Sequence, residues 1–404
     1  MRRAAGFLVA VVLGSATGAG VMLSLPAGGA GGRQEVLPGP VASASPRPPP
    51  EVLGKAPVST MLAWTPTRLP AGYARAVRAL PQVRAVAVVR SGTAWLASWR
   101  HRSGTRQRAP RGFMVPLEVA AVAPSGYRRF VPPAERQAIA GLDGGGALLG
   151  STSAEIRGVR PAGSLRFPAR TIRVEGVIDD GLVGGHEAVV SVGTGTRLGI
   201  VTPRYLLVLP RAGVSRTRLE RGLRAAAPAG VRVQVRGPGE TPVFRHGDAV
   251  LPPVRLKEIF GEFAARPAPG GTLTIDPAWV RENIRSARMP ILRGHVTCHR
   301  RIIPLLRGAL SELARRGLGD LVVPGMYGGC YSPRFLNFNP PSGLSHHAWG
   351  IAVDFNVAEN PYGAKPAMDP RVVEVMRRWG FTWGGRWIVP DGMHFEFHRF
   401  PNVG

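Results

Sequence analysis

Cysteine is nearly absent from this sequence: its 404 residues hold two, Cys298 and Cys330. A structural zinc module built from several closely spaced cysteines is thereby excluded. Lysine is almost as scarce, at Lys55, Lys257 and Lys365, so the net charge of +27 rests on arginine. Acidic residues number 25 against 52 basic ones. Such a surface attracts polyanions, either nucleic acid or an anionic wall or membrane face. No helix-turn-helix, zinc-finger or RNA-binding signature accompanies the charge, which argues against nucleic acid as a partner. Gly144-Gly145-Gly146 lacks the Lys-Ser/Thr that a phosphate loop requires and reads as a loop. No internal repeat is present.

What is there suffices for folded domains. Hydrophobic residues make up 44% of the chain, and its length suits two domains. Arg2 and Arg3 precede an uncharged run from Ala4 to Gly32, which reads as a signal peptide or a membrane anchor over residues 1–32. The anchor is the preferred reading, and either places the bulk of the chain outside the cytoplasm. Residues 33–60 are rich in proline, including Pro48-Pro49-Pro50, and read as a semi-rigid linker. In an exported chain Cys298 and Cys330 are expected to pair as one disulfide closing a loop of about 30 residues.

The chemistry is concentrated near the carboxy terminus. Ser345-His346-His347-Ala348-Trp349-Gly350-Ile351-Ala352-Val353-Asp354 is answered by Asp391-Gly392-Met393-His394-Phe395-Glu396. Two imidazoles and a carboxylate suit a catalytic zinc, which keeps its fourth position for water. Alternating Ile351, Val353 and Phe355 predict a strand with Asp354 on its other face. The ligands are too far apart in sequence for one helix and must converge across a sheet. Asp391, three residues before His394, is placed to act on the water. His346 would point away from His347 along an extended chain, toward solvent or an outer position. Glu396, on the His394 face, either orients a histidine or arginine or makes a plain ion pair.

This stretch resembles the zinc D-alanyl-D-alanine carboxypeptidases of the VanY type and their L-alanyl-D-glutamate endopeptidase relatives from phage endolysins. Their Ser-x-His-x-x-Gly-x-Ala-x-Asp pattern is met at Ser345, His347, Gly350, Ala352 and Asp354, and their acid-x-x-His element at Asp391 and His394. The resemblance implies zinc held by His347, Asp354 and His394, with Asp391 as general base. In many relatives the acid is Glu; Asp391 is closer to the endolysin branch. Ser345 then shapes the loop or touches substrate. Arg334 lies where relatives place a basic residue on the substrate and is the candidate carboxylate clamp, a surface charge being the alternative. The implied activity is hydrolysis of peptidoglycan stem peptides, with terminal D-alanine release ahead of internal cleavage; a non-catalytic wall-binding protein is the rival reading.

The fold expected is α+β, with a carboxy-terminal zinc peptidase domain at 255–404 built on a small antiparallel sheet with flanking helices. A separate α+β domain of unknown role is expected at 61–250. Within it, Val83–Val89 and Thr93–Trp99 predict a hairpin about Ser91-Gly92, and Ser215 to Ala226 a helix. Asp179-Asp180 with His186-Glu187 reads as a polar turn rather than a metal cluster. Glu155–Val159 and Val174–Val177 faintly resemble extracytoplasmic domains of bacterial membrane-transport proteins. Further on, helices are predicted over Trp279–Ala287, from Ile302 to a stop at Gly317, and from Asp369-Pro370 to Gly380, with a short strand at Val322–Met326. Phe381–Trp383 and Phe395–Phe397 are expected as the closing strands.

Overall fold

A computed structural model describes residues 60–241, 244–289 and 291–401. The expected leader and nearly all of the linker lie outside the described residues. None of the described helices is long and apolar enough to cross a membrane.

The first half of the described chain builds one mixed sheet of eleven strands. In chain order they are β1 (Met61–Trp64), β2 (Val83–Leu96), β3 (Ser98–Arg100), β4 (Arg106–Arg108), β5 (Val115–Val122) and β6 (Ala147–Gly150). There follow β7 (Ser164–Phe167), β8 (Arg170–Ile178), β9 (Ala188–Ser191), β10 (Pro203–Pro210) and β11 (Gln234–Arg236). Their spatial order is β11-β1-β10-β2-β5-β9-β6-β8-β7-β3-β4. Neighbours run antiparallel except for β5 with β9 and β6 with β8. Apolar residues line both faces of β5, leaving Glu118 as its one partly exposed residue, as expected of a central strand.

The hairpin expected at Ser91-Gly92 does not form. β2 runs straight through, pairing with β10 on one side and with β5 on the other. β10 pairs with Val83–Arg90 and β5 takes over from Arg90 to Leu96, so ladder hydrogen bonds carry the chain through Ser91-Gly92 and override the local turn preference. Gly92 serves for space, since a Cβ there would meet Ile200 Cδ1 at 3.3 Å. The helix Arg216–Ala225 does form, with Ser215 Oγ accepting from the Arg218 N–H, and packs Leu219 and Leu223 inward.

The second half carries β12 (Ala265–Ala268), β13 (Thr272–Ile275), β14 (Ile284–Met289), β15 (Gly294–His299), β16 (Ala352–Asp354), β17 (Phe381–Trp383) and β18 (His394–Phe397). They pair as two hairpins and a three-stranded antiparallel sheet ordered β16-β18-β17. The fold is therefore mixed α and β, a large sheet followed by small antiparallel ones. The helix Ile303–Arg315 buries Leu306, Ala309, Leu310 and Leu313 on one face. Gly317, at φ 68°, terminates it. The helix Pro370–Arg378 is capped by Asp369 and buries Val372, Val375 and Met376.

Two local predictions fail here. The helix beginning at Asp276-Pro277 stops at Asn283, and Ile284–Met289 is strand β14, paired along its length with β15. Val280, Ile284 and Ala287 keep a helical spacing, but the ladder with β15 overrides it. Val322–Met326 is not a strand; Pro324–Met326 is a single 3-10 turn, since Pro324 has no N–H to give a ladder.

The large sheet and the later strands pack against each other. Met114 and Ala265 exchange backbone hydrogen bonds of 2.9 and 2.7 Å. Glu187, fully buried, pairs with Arg157 at 2.6 Å and Lys257 at 2.7 Å. Glu262 also meets Arg157 and Lys257, so the desolvated charges are mutually compensated.

Candidate metal centre

The site is assembled from β16, β18 and the turns that lead into them. Ser345 starts a 3-10 turn, His346–Trp349, and its Oγ accepts from the His347 N–H at 3.3 Å. Gly350, at φ 67°, ends the turn where a side chain would strike the backbone of Cys298 and His299. Trp349 is wholly buried in the core. The chain then enters β16, where Ile351, Val353 and Phe355 go to the core and Asp354 faces the opposite way. Asp354 and His394 are directly paired across β16 and β18, which brings them together despite their separation in sequence.

The three expected ligands meet. Nε2 of His347 lies 3.2 Å from Asp354 Oδ2, Nδ1 of His394 lies 3.0 Å from Asp354 Oδ1, and the two ring nitrogens are 3.3 Å apart. Among the described residues this is the one cluster of histidine, cysteine and carboxylate groups that could hold a metal ion.

The outer nitrogens are engaged elsewhere. Nδ1 of His347 donates to the Cys330 carbonyl at 2.8 Å, and Nε2 of His394 is 3.4 Å from Glu396 Oε2. With those N–H groups directed outward, two lone pairs and a carboxylate face one another. Only a proton or a cation between them relieves the repulsion. The donor set and the outer hydrogen bonds fit zinc, with three protein ligands and one position left for water or substrate.

The titration behaviour of the metal-free site follows from the same contacts. Burial opposes the charge on His394, but its bonds to Asp354 and Glu396 win and push it up to about 10. Burial likewise opposes ionisation of Asp354, and the two histidines outweigh it, holding the carboxyl far below the usual range. Glu396 is held low in the same way, against its burial, by His346 and His394. Asp391 moves the other way. Burial raises it and Asp354 adds to the shift, while His394, His347 and Arg334 pull it back. Its Oδ1 is buried without a hydrogen-bond partner, a carboxylate oxygen free to accept a proton.

His346 does not face solvent. It is 7% exposed, with Nδ1 2.7 Å from Glu396 Oε2. The expectation of alternating faces assumed extended chain, whereas the residues lie in a tight turn that directs both rings inward. Glu396 therefore spans His346 and His394. Arg334 sits beside the site: burial lowers its pKa while Asp354 and Asp391 oppose the shift, and its guanidinium lies over the Phe338 ring at 5.1 Å. Trp387 flanks His394, with ring centroids 5.2 Å apart, and Trp383 donates from Nε1 to the Gly392 carbonyl. Cys298 and Cys330 are joined by a disulfide.

The polar group at Asp179 to Glu187 does not converge. Asp179 accepts from the Gly181 N–H, Asp180 from the Thr152 N–H, and His186 pairs with the Val183 carbonyl. Glu187 points into the buried ion network instead.

Residues 339–397 match the model of a protein family described as D-alanyl-D-alanine carboxypeptidase. The match spans all three metal-site residues and Asp391. This segment carries the signature of a peptidase family. No curated protein matches the chain significantly. Among solved structures, the periplasmic region of MacB from Actinobacillus actinomycetemcomitans aligns at 11% identity and a TM-score of 0.32, over 47% of this chain and 94% of that one. The extracellular domain of the noncanonic ABC-type transporter YknZ from Gram-positive bacteria aligns at 13% identity and 0.29, over 44% of this chain and 100% of that one.

Proposed function

We propose that the protein is a zinc-dependent peptidase of the cell envelope that hydrolyses peptidoglycan stem peptides, with release of terminal D-alanine as its main reaction. The observation that carries this reading is the convergence of His347, Asp354 and His394 with the unpartnered Oδ1 of Asp391, inside the segment with the peptidase-family match. An extracytoplasmic location is supported by the disulfide, which persists in oxidising compartments, and by the uncharged run at the amino terminus.

Zinc held by His347, Asp354 and His394 would lower the pKa of a water molecule and polarise the scissile carbonyl. The residues supply the rest. Asp391 accepts the proton of the attacking water and returns it to the leaving nitrogen, a role suited by its raised pKa. Glu396 and the Cys330 carbonyl keep the two imidazoles in the tautomers that turn a lone pair inward. Arg334 clamps the substrate carboxylate beside the bond that is cut.

The test uses zinc-loaded protein on a stem peptide ending in D-Ala-D-Ala and on the same peptide amidated at its carboxy terminus, with products identified by mass spectrometry. A carboxypeptidase releases one D-alanine and strongly prefers the free acid, and Arg334→Ala loses most of that preference. Equal cleavage of both peptides, with release of a larger fragment, identifies an endopeptidase and removes the clamp role from Arg334. Zinc bound without cleavage of any stem peptide or muropeptide leaves a non-catalytic wall-binding protein.

A further inference from the structure

The loop between β17 and β18 carries Asp391, and it is held from outside its own sheet. Ile388, three residues before Asp391, is 8% exposed and lies in the same apolar cluster as Trp64, Tyr205 and Phe244 of the first region. Both backbone polar groups of Ile388 are taken by that region. Its N–H donates to Asp248 Oδ2 at 3.1 Å, and its carbonyl accepts from Arg232 Nη1 at 3.1 Å. Two residues beyond Asp248, the Val250 N–H donates to Glu396 Oε1 at 3.3 Å, while the other oxygen of Glu396 faces His346 and His394.

The clamp is anchored in turn. Arg236, on β11, donates to the Gly247 carbonyl at 3.2 Å, and Arg245 pairs with Glu118 of β5 through both carboxylate oxygens. Asp248 and Val250 are thus tied to the large sheet on one side. On the other they grip the loop of the candidate base and the carboxylate behind a metal-site histidine. A backbone N–H and C=O satisfied by two separate side chains fixes a loop in position as well as in orientation. Catalysis by a positioned base is sensitive to such placement: a shift of about 1 Å can cost around a hundredfold in rate.

We propose that Asp248 and Arg232 are positioning residues for Asp391, and that the first region completes the peptidase site without touching substrate. This rests on the peptidase reading above, and it gives the large-sheet region a function. Asp248 holds the amide of Ile388, Arg232 holds its carbonyl, and the apolar side chain fills the gap between them. Anything that moves the segment 244–250 relative to β18 would then change turnover without altering a single ligand of the metal.

The experiment compares the full chain with Asp248→Ala, Asp248→Asn and Arg232→Ala, reading zinc content, steady-state kinetics and backbone hydrogen exchange over residues 385–392. In Asp248→Ala, exchange in that segment is expected to speed up at least tenfold while β16 and β18 stay protected. The turnover number should fall about 10- to 100-fold with KM and zinc content near those of the parent. Asp248→Asn keeps an oxygen acceptor for the Ile388 amide and should recover most of both signals. Unchanged exchange over 385–392, or an unchanged turnover number in folded Asp248→Ala, overturns the proposal. If Asp248→Ala does not fold, Arg232→Ala decides. It removes the guanidinium that holds the Ile388 carbonyl, and full turnover there overturns the proposal too. If the parent protein cleaves nothing, the peptidase reading fails, and hydrogen exchange still judges the clamp by itself.

Discussion

The carbonyl oxygen of Cys330 accepts a 2.8 Å hydrogen bond from Nδ1 of His347, and the same residue is covalently tied to Cys298 on β15. The disulfide therefore does more than close a loop. It holds in place the carbonyl that sets the tautomer of a candidate metal ligand.

Reduction should consequently weaken both fold and metal binding. With a sequence separation of 32, the cross-link is worth about 3–4 kcal/mol on the chain-entropy model. Differential scanning calorimetry with and without reductant should show a clear fall in Tm. A chelator competition should show weaker zinc binding after reduction. Zinc affinity that is identical in oxidised and reduced protein would disconnect the Cys330 carbonyl from the site.

His347→Ala, Asp354→Ala and His394→Ala should each lose zinc, measured as metal per chain after dialysis. Each removes one of three donors, and the remaining pair cannot complete a tight site. Retention of one zinc in all three variants would place the metal elsewhere.

Asp391→Asn should keep its zinc and lose about 10²–10⁴ in turnover, because an amide oxygen is too weak a base for the proton. Turnover close to that of the parent would transfer the role of base to another group, with Glu396 first in line.

Glu396→Gln should lower zinc affinity by about 10- to 100-fold, the usual effect of losing the carboxylate behind a ligating histidine. It should do so with no change in which peptide bond is cut. An unaltered affinity would reduce Glu396 to an ordinary buried ion-pair partner of His346.

The pH dependence of the metal-free protein follows from His394. Its folded pKa, about 10, lies above the ordinary value of about 6.5. The stabilising contact of protonated His394 with Asp354 is therefore complete below about pH 6.5 and is lost as pH rises toward 10. Zinc must displace that proton, so its apparent affinity should rise about tenfold per pH unit between pH 6.5 and 8. Competition against a chelator across that range checks the slope, and a flat profile would mean that His394 binds no proton in the metal-free site.

The sequence by itself determined the residues that meet at the centre. His347, Asp354 and His394 were legible because their residues match the zinc carboxypeptidase pattern that the stretch resembles, while a turn ending at a glycine and a period-two strand fix the geometry around the first two locally. The helices Arg216–Ala225, Ile303–Arg315 and Pro370–Arg378 were legible for the same reason, from caps, apolar spacing and glycine stops. Tertiary structure alone decided the rest. Ser91-Gly92 reads as a turn but lies mid-strand, because β10 and β5 supply ladder partners on both sides. Ile284–Ala287 reads as the end of a helix but pairs within β14, because β15 offers it a complete register. For His346 the sequence left solvent and an outer position at the site both open, and the fold turns the ring in to meet Glu396 behind His394. The grip of Asp248 on Ile388 joins residues 140 apart in sequence through a backbone amide that every non-proline residue possesses. No residue type advertises such a contact, so nothing in the order of residues could announce it.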